Sequence, residues 1–186
     1  MSLEFLNPKH CALMVVDIQD RLMRVISGQD AVLRNSVLLL KTAKTLDLPI
    51  VATTQYVARI GELLPEIMAE LGEAVSPMDK LEFGCFNNPT IARAVSELPR
   101  EIDTLIVCGV ETHICVYQTV LGALRLGYKV WVPEDAVSSR AEGNWRSGLA
   151  RLREIGAVVA NTELVIYELL RQAGTPEFKA LLPFLK

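Results

Sequence analysis

Short runs of β-branched and aliphatic residues alternate with longer segments of helical periodicity along the chain. Most of these runs are continuously apolar, which is typical of strands buried on both faces of a parallel sheet. A sheet of this kind is covered by helices on both sides. The alternation therefore predicts an α/β fold with three layers, α/β/α. Six runs are candidate strands, of which the third is weak: 11–16, 50–54, 74–77, 104–110, 129–133 and 157–161.

Helical periodicity and helix-ending residues fill the segments between these runs. Gly127 and Gly156 follow two of the segments, as glycine does after a helix C-terminus. The stretch 56–87 is irregular apart from a short predicted helix at 62–71 and the weak strand, and loops of such length tend to be functional. The predicted longer helices cover 29–47, 89–98, 112–126, 142–155 and 162–172.

Length and charge limit the kinds of partner. A chain of 186 residues corresponds to about one domain, so we expect a single domain over residues 1–186. The 19 Lys and Arg against 22 Asp and Glu give a net charge of −3, which provides no basic surface for nucleic acid or for an anionic membrane. No apolar stretch approaches the 18 residues of a membrane span. We expect the partner to be a small molecule.

The cysteines and histidines argue against metal and cofactor sites. The cysteine spacing matches neither a CxxC redox pair nor paired zinc knuckles, and neither His10 nor His113 belongs to an HxxxH or HxE motif. The motifs GxGxxG, GxxxxGK[ST] and GxSxG do not occur. With no secretory leader pattern at the N-terminus, we expect a reducing cytoplasm and no cofactor. The four cysteines are Cys11, Cys85, Cys108 and Cys115.

Asp17 follows the first predicted strand directly. In open parallel sheets, ligands bind beyond the carboxyl ends of the strands, where the strand order reverses. A carboxylate after four apolar residues is expected to be partly desolvated, which makes Asp17 a candidate acid or base. The alternative is an Asp that caps a turn through its side chain.

Two further candidates follow other strands. Cys115 falls in the first turn of the helix after the fourth strand, where main-chain N–H groups and the helix dipole favour a thiolate of lowered pKa. It is a candidate nucleophile, and the alternative is a buried structural cysteine. Lys80 follows the weak third run and is either a charge for this site or a solvated surface residue. His113 either positions Cys115 or packs in the first turn of the helix.

Four segments carry a family resemblance: VVDIQ, SPMDKLEFGCF, LIVCGVETHICVYQT and GYKVWVPEDAVSSR. Through them the chain resembles the isochorismatase-like cysteine hydrolase superfamily, and within it the isochorismatase domain-containing hydrolases of unassigned substrate. The resemblance implies a Rossmann-like sandwich with a six-stranded parallel sheet in the order 3-2-1-4-5-6. It also implies an Asp-Lys-Cys triad, which falls on Asp17, Lys80 and Cys115.

The resemblance further implies a cis peptide bond between Val110 and Glu111. This bend would aim main-chain N–H groups into an oxyanion hole formed by the backbone of Val110, Glu111 and Cys115. In the implied strand order, the first and fourth strands are neighbours at the reversal point, which would bring Asp17 close to Cys115. The residues expected to line the substrate pocket are Gln19, Tyr56, Phe83 and Phe86.

Departures from the family narrow the expected reaction. Nicotinamidase-type relatives bind a metal through an Asp and histidines after the second strand, but the segment 53–67 contains no histidine. Isochorismatases do not need the cysteine, so its presence favours a thiol-dependent hydrolase. We therefore expect hydrolysis of an amide-type C–N bond in a small carbonyl compound, through a thioester on Cys115. Asp17 would act as general acid and base, and Lys80 as its electrostatic partner.

Two other functions remain open at this point. One is a non-catalytic binding scaffold that keeps the fold as an oligomer, and a homo-oligomer is expected in either case. The other is redox sensing by Cys115 paired with Cys108 or Cys85, although neither is close to it in sequence.

Overall fold

A parallel β-sheet forms the middle layer of the structure, which is a computed structural model describing residues 5–185. The strands run in the order β3-β2-β1-β4-β5-β7, and the short β6 pairs with β4. This confirms the predicted fold and strand order, with one additional strand. The strands are β1 (Cys11–Val16), β2 (Ile50–Gln55), β3 (Met78–Lys80), β4 (Thr104–Val110), β5 (Lys129–Pro133), β6 (Val137–Ser138) and β7 (Val158–Ala160).

The third strand differs from its prediction. It lies at Met78–Lys80 and not at 74–77, so Lys80 ends the strand instead of following it. Pro77 has no N–H group to donate to a ladder, whereas Met78–Lys80 pairs in register with residues 53–55 of β2. The register places Lys80 opposite Gln55 at the C-terminal end of β2.

Helices cover both faces of the sheet. The segment predicted as one helix over 112–126 begins as a π-helix, Thr112–Val116, and continues as α6. In the described part of the chain, no helix is long and apolar enough to cross a membrane. The α-helices are α1 (Asp20–Met23), α2 (Gln29–Thr45), α3 (Val57–Ile60), α4 (Pro65–Leu71), α5 (Pro89–Ser96), α6 (Tyr117–Arg125), α7 (Glu142–Glu154), α8 (Thr162–Leu170) and α9 (Pro176–Leu181), and 3-10 turns lie at Pro8–His10, Cys85–Asn87 and Leu182–Phe184.

Successive side chains of β1 enter two different apolar layers. Leu13 and Val15 pack with residues of α2, α4 and α8, while Met14 and Val16 pack with residues of α5, α6 and α7. Because side chains alternate between the faces of a strand, a strand covered on both faces must be apolar at every position. This explains the unbroken apolar run of β1, all of which is buried.

Gly109 lets β4 pass close to β1 at the edge that carries the candidate site. Its φ is +142°, and a Cβ atom built on it would lie 2.2 Å from the main-chain oxygen of Val16. L-residues rarely adopt such a φ, whereas glycine, which has no Cβ, adopts it readily. The position therefore excludes any side chain, and it fixes the spacing of the two strands just before Asp17 and the π-helix.

We predict that Gly109→Ala lowers the free energy of unfolding by about 2–4 kcal/mol, because both the φ angle and the contact with Val16 resist a methyl group. Gly143→Ala is the matched control, since a Cβ at Gly143 meets nothing within 4 Å. Urea denaturation of the three proteins measures the difference. Equal stability of Gly109→Ala and Gly143→Ala would contradict the close approach of the strands.

Candidate active site

Asp17, Lys80 and Cys115 come together at the C-terminal edge of the sheet. Asp17 directly follows β1, with a left-handed backbone at φ 57°, and Lys80 is the last residue of β3. Cys115 lies in the π-helix that follows β4. Since β1 is hydrogen-bonded to both β2 and β4, and β3 to β2, the strand order brings the three positions to one edge.

Lys80 and Asp17 form an ion pair that is fully removed from solvent. The Nζ of Lys80 lies 2.6 Å from Oδ2 of Asp17, and both side chains are 0% exposed. A buried ion pair persists only where its remaining hydrogen-bonding positions are also satisfied. Here the Thr53 hydroxyl donates to Oδ1 of Asp17 at 2.8 Å, and Lys80 Nζ donates to Oε1 of Gln55 at 2.8 Å.

Gln19 supports the Lys80–Asp17 pair indirectly, by hydrogen-bonding the main chain of Gln55 at the end of β2. Its Oε1 accepts a hydrogen bond from the Gln55 N–H at 2.7 Å, and its Nε2 donates to the Gln55 carbonyl at 3.1 Å and to the carbonyl of Gly61. Gln19 is completely buried. The structure thus gives Gln19 a supporting position, and its contact with a substrate remains a prediction.

The thiol of Cys115 is protonated in this environment. Burial and the negative charge of Asp17 raise its pKa to about 12, with Lys80 acting in the opposite direction. The expectation of a lowered pKa was therefore wrong: desolvation and the nearby carboxylate outweigh the helix N-terminus. A neutral thiol beside a carboxylate can become a nucleophile by giving its proton to that carboxylate.

The bend between β4 and the π-helix differs from its expected form. The Val110–Glu111 peptide is trans, so the expected cis bond was wrong. The chain turns instead through Glu111, whose φ of 58° and ψ of 65° are left-handed. For a residue with a Cβ, this conformation costs about 1–2 kcal/mol. The oxyanion hole expected from the backbone of Val110, Glu111 and Cys115 remains a prediction.

Side chains beyond the bend hold Glu111. Arg140 Nε donates to Oε1 of its carboxylate, and His113 Nδ1 lies 3.4 Å from Oε2. The same His113 nitrogen lies 3.0 Å from the hydroxyl of Ser139. The structure therefore places the His113 ring against Glu111 and Ser139.

The predicted aromatic pocket residues lie in different surroundings. Tyr56 and Phe83 follow the ends of β2 and β3, and they are 42% and 53% exposed. Phe86 packs against α6: a Cβ at Gly122 would lie 2.8 Å from the Phe86 Cβ, and the rings of Phe86 and Tyr128 are 6.4 Å apart. Their contact with a substrate stays a prediction.

Three residues of the site escaped the analysis of the sequence in these roles. Thr53 and Gln55 are polar residues at the end of β2. Thr53 lies near the end of the predicted strand 50–54 and Gln55 directly follows it, and this position at a carboxyl end was a usable signal. Cys85 is fully buried, with its Sγ 3.8 Å from the Thr53 hydroxyl. Nothing in its sequence spacing predicted this contact.

Within residues 5–185, no group of three His, Cys, Asp or Glu side chains is arranged to hold a metal ion.

Solved structures share this fold over nearly the whole chain. A protein described as MAR1 ribonuclease from Caenorhabditis elegans has a TM-score of 0.90 at 28% identity, covering 97% of this chain and 92% of its own. YcaC from Pseudomonas aeruginosa, described with hexane-2,5-diol and covalent acrylamide, also has a TM-score of 0.90. It is 26% identical and covers 99% of this chain and 93% of its own. YcaC from Escherichia coli, described as an octameric hydrolase of unknown specificity, has a TM-score of 0.89 at 25% identity. It covers 100% of this chain and 94% of its own.

Sequence comparisons point to the same group. The secreted isochorismatase effector Isc1 of Phytophthora sojae is 35% identical over 97% of this chain and 87% of its own length. Isochorismatase domain-containing protein 2A of Mus musculus is 31% identical over 100% of this chain and 87% of its own length. The isochorismatase domain model matches residues 11–163, from the start of β1 into α8. The chain therefore belongs to the isochorismatase family of hydrolase folds, as the resemblance implied.

Proposed function

We propose that this protein is a cysteine-dependent hydrolase that cleaves an amide-type C–N bond in a small carbonyl compound. The observation that carries the proposal is a protonated, buried thiol, Cys115, whose pKa is raised by burial and by the nearby carboxylate of Asp17, which is itself paired with Lys80 at 2.6 Å. A nucleophile, a base that reaches its proton and a charge that orients the base are the parts that nucleophilic catalysis requires.

The first half of the reaction forms a thioester. Asp17 accepts the thiol proton while the sulfur of Cys115 attacks the carbonyl carbon, which produces a tetrahedral oxyanion. Main-chain N–H groups of Cys115 and of the Val110–Glu111 bend stabilise this oxyanion. The oxyanion then collapses, the C–N bond breaks, and Asp17 gives its proton to the departing nitrogen.

The second half returns the enzyme to its starting state. Asp17, again a carboxylate, accepts a proton from water, and the hydroxide attacks the thioester carbon. The C–S bond breaks, the carboxylic acid leaves, and the sulfur recovers the proton from Asp17. Lys80 keeps the carboxylate oriented through its 2.6 Å contact.

Neighbouring proteins support parts of this proposal. The Pseudomonas YcaC protein is described with a covalently attached acrylamide, which is consistent with a nucleophile in this fold, and the Escherichia coli protein is described as a hydrolase. Three of the neighbouring structures are named ribonucleases. With a net charge of −3, the present chain lacks the basic character that an RNA substrate requires, so we propose a small-molecule substrate.

Oligomeric state and location stay proposals. A homo-oligomer is supported by the octamer reported for the Escherichia coli neighbour. A reducing cytoplasm is supported by the four free, buried cysteines, whereas the Phytophthora relative is named as a secreted protein. Light scattering of the purified protein and fractionation of its source cells decide the two questions.

We predict that p-nitrophenyl acetate acylates Cys115 and that small primary amides release ammonia with turnover. Cys115→Ala should lose both reactions, because Cys85, the other thiol that Asp17 influences, is fully buried and contacts the Thr53 hydroxyl. Cys108→Ala is the matched control, since Cys108 is equally buried but lies within β4. Nitrophenolate absorbance, intact mass and ammonia release measure the outcome. Full turnover by Cys115→Ala would end the nucleophile assignment.

We also predict an unusual pH dependence of iodoacetamide alkylation at Cys115. A thiol of pKa about 12 that reacts only as a preformed thiolate gains about tenfold in rate per pH unit between pH 6 and 8. Because Asp17 accepts the proton during attack, the wild-type rate should instead be nearly constant over this range. Rates and slopes equal to those of a free thiol would favour the non-catalytic scaffold.

The variant Asp17→Asn distinguishes reaction through a preformed thiolate from reaction in which Asp17 accepts the thiol proton during attack. The Asp17 charge raises the pKa of the thiol and the Lys80 charge lowers it, so removing the carboxylate lowers that pKa. Alkylation of Asp17→Asn should therefore rise with pH and level off below pH 12, while acyl turnover is lost for want of an acid and base. Circular dichroism establishes that the variant folds. Retained turnover, or a wild-type slope in the variant, would contradict the role of Asp17.

A further inference from the structure

Glu111 lies at the bend where β4 meets the π-helix, four residues before the candidate nucleophile, Cys115. Its side chain is only 7% exposed, and Oε1 accepts a hydrogen bond from Arg140. Its other oxygen, Oε2, is buried and has no hydrogen-bond partner among the described residues. His113 Nδ1 lies 3.4 Å from Oε2 and is cationic only when protonated, so the permanent positive charge beside this carboxylate is that of Arg140.

The partners of this carboxylate all lie beyond the bend. Arg140 follows β6, which is paired with β4, and His113 is in the π-helix itself, where its Nδ1 also contacts the Ser139 hydroxyl. The helix α7 is also tightly docked here: a Cβ at Gly148 would lie 3.0 Å from the main-chain N of His113. The bend is thus contacted by the segment after β6 and by α7. Asp17 is contacted from the other half of the sheet, by Lys80 of β3 and Thr53 of β2.

The backbone at Glu111 needs such bracing. A residue with a Cβ rarely adopts a φ of 58° unless its surroundings impose it. The Arg140 contact joins this left-handed residue to the segment after β6. If Arg140 is lost, the buried carboxylate keeps only His113, at 3.4 Å and cationic only when protonated. The bend can then relax toward a more common conformation.

We propose that Arg140, acting through Glu111, is a positioning residue that holds the bend so that its N–H groups point at a developing oxyanion. This inference rests on the proposed acyl-transfer function. It concerns positioning only, since Arg140 acts through the Glu111 side chain and its own side chain is 56% exposed.

Two reactions of the same thiol test the inference. Acylation of Cys115 by p-nitrophenyl acetate passes through an oxyanion, whereas alkylation by iodoacetamide displaces iodide at a methylene carbon and forms none. Loss of one oxyanion-hole donor costs about 10²–10³-fold in rate. Arg140→Met should therefore slow acylation by about 10–100-fold and leave the alkylation rate within about threefold, which is a change of less than 1 kcal/mol.

Two further variants sharpen the comparison. Arg140→Lys keeps a cation near Glu111 and should recover part of the acylation rate. Arg146→Met is the matched control, because Arg146 pairs with Glu142 on the exposed surface of α7, and it should change neither reaction. If Arg140→Met fails to fold, Glu111→Gln removes the same charge pair and should show the same selective loss of acylation.

The outcomes separate this inference from the proposed function. A wild-type protein in which neither reagent modifies Cys115 faster than a free thiol would overturn the proposed function. A wild-type protein that reacts with both, together with an Arg140→Met variant in which acylation is unchanged or in which both reactions fall equally, would overturn the positioning role of Arg140 alone.

Discussion

Two opposite charges, on Lys80 and Asp17, lie entirely out of water at the C-terminal edge of the sheet. Removing an ion pair from solvent is costly unless every remaining donor and acceptor finds a partner. The end of β2 supplies those partners through Thr53 and Gln55, and Gln19 fixes Gln55 in turn. The ion pair therefore requires β1, β2 and β3 to end at one level, and the arrangement of this edge depends on it.

Burial, together with the Asp17 charge, decides the protonation state of the neighbouring thiol. Raising the Cys115 pKa from 9.0 to about 12 corresponds to about 4 kcal/mol against the thiolate. A helix N-terminus contributes about 0.3–1 kcal/mol, and about 2 kcal/mol in favourable geometry. Desolvation and the Asp17 charge therefore outweigh the helix. The site stores the proton on sulfur, and the nucleophile forms when Asp17 removes that proton.

Much of this fold could be predicted because its signals are local. The runs of β1, β4 and β5 match their strands residue for residue. β1 and β4 are buried at every position, which explains their nearly continuous apolar sequence. The third strand was misplaced because three residues, one of them exposed, carry little pattern. The two-residue β6 was missed for the same reason. Asp17, Lys80 and Cys115 could each be found at the end of a strand, but their proximity came from the strand order that the family resemblance supplied.

Other properties of the site depend on long-range packing, which a sequence does not display. The protonated state of Cys115 follows from burial and from a carboxylate 98 positions earlier in the chain. The trans bend at Glu111 is held by Arg140, from a different strand connection. The shortage of histidine did carry information, since it argued against a metal-dependent relative before any geometry was known. Local chemistry thus identified the residues, and tertiary contacts determined their states.

The most direct test of this account is the protonation state of Cys115 at neutral pH. Thiolates absorb near 240 nm and thiols do not, so the difference in absorbance between the wild-type protein and Cys115→Ala reports this one group during a pH titration. The account predicts no thiolate signal between pH 6 and 8, with the signal growing only as the pH approaches the thiol pKa of about 12. A thiolate signal already complete at pH 7 would contradict it, because Cys115 would then be a preformed anion that needs no proton transfer to Asp17.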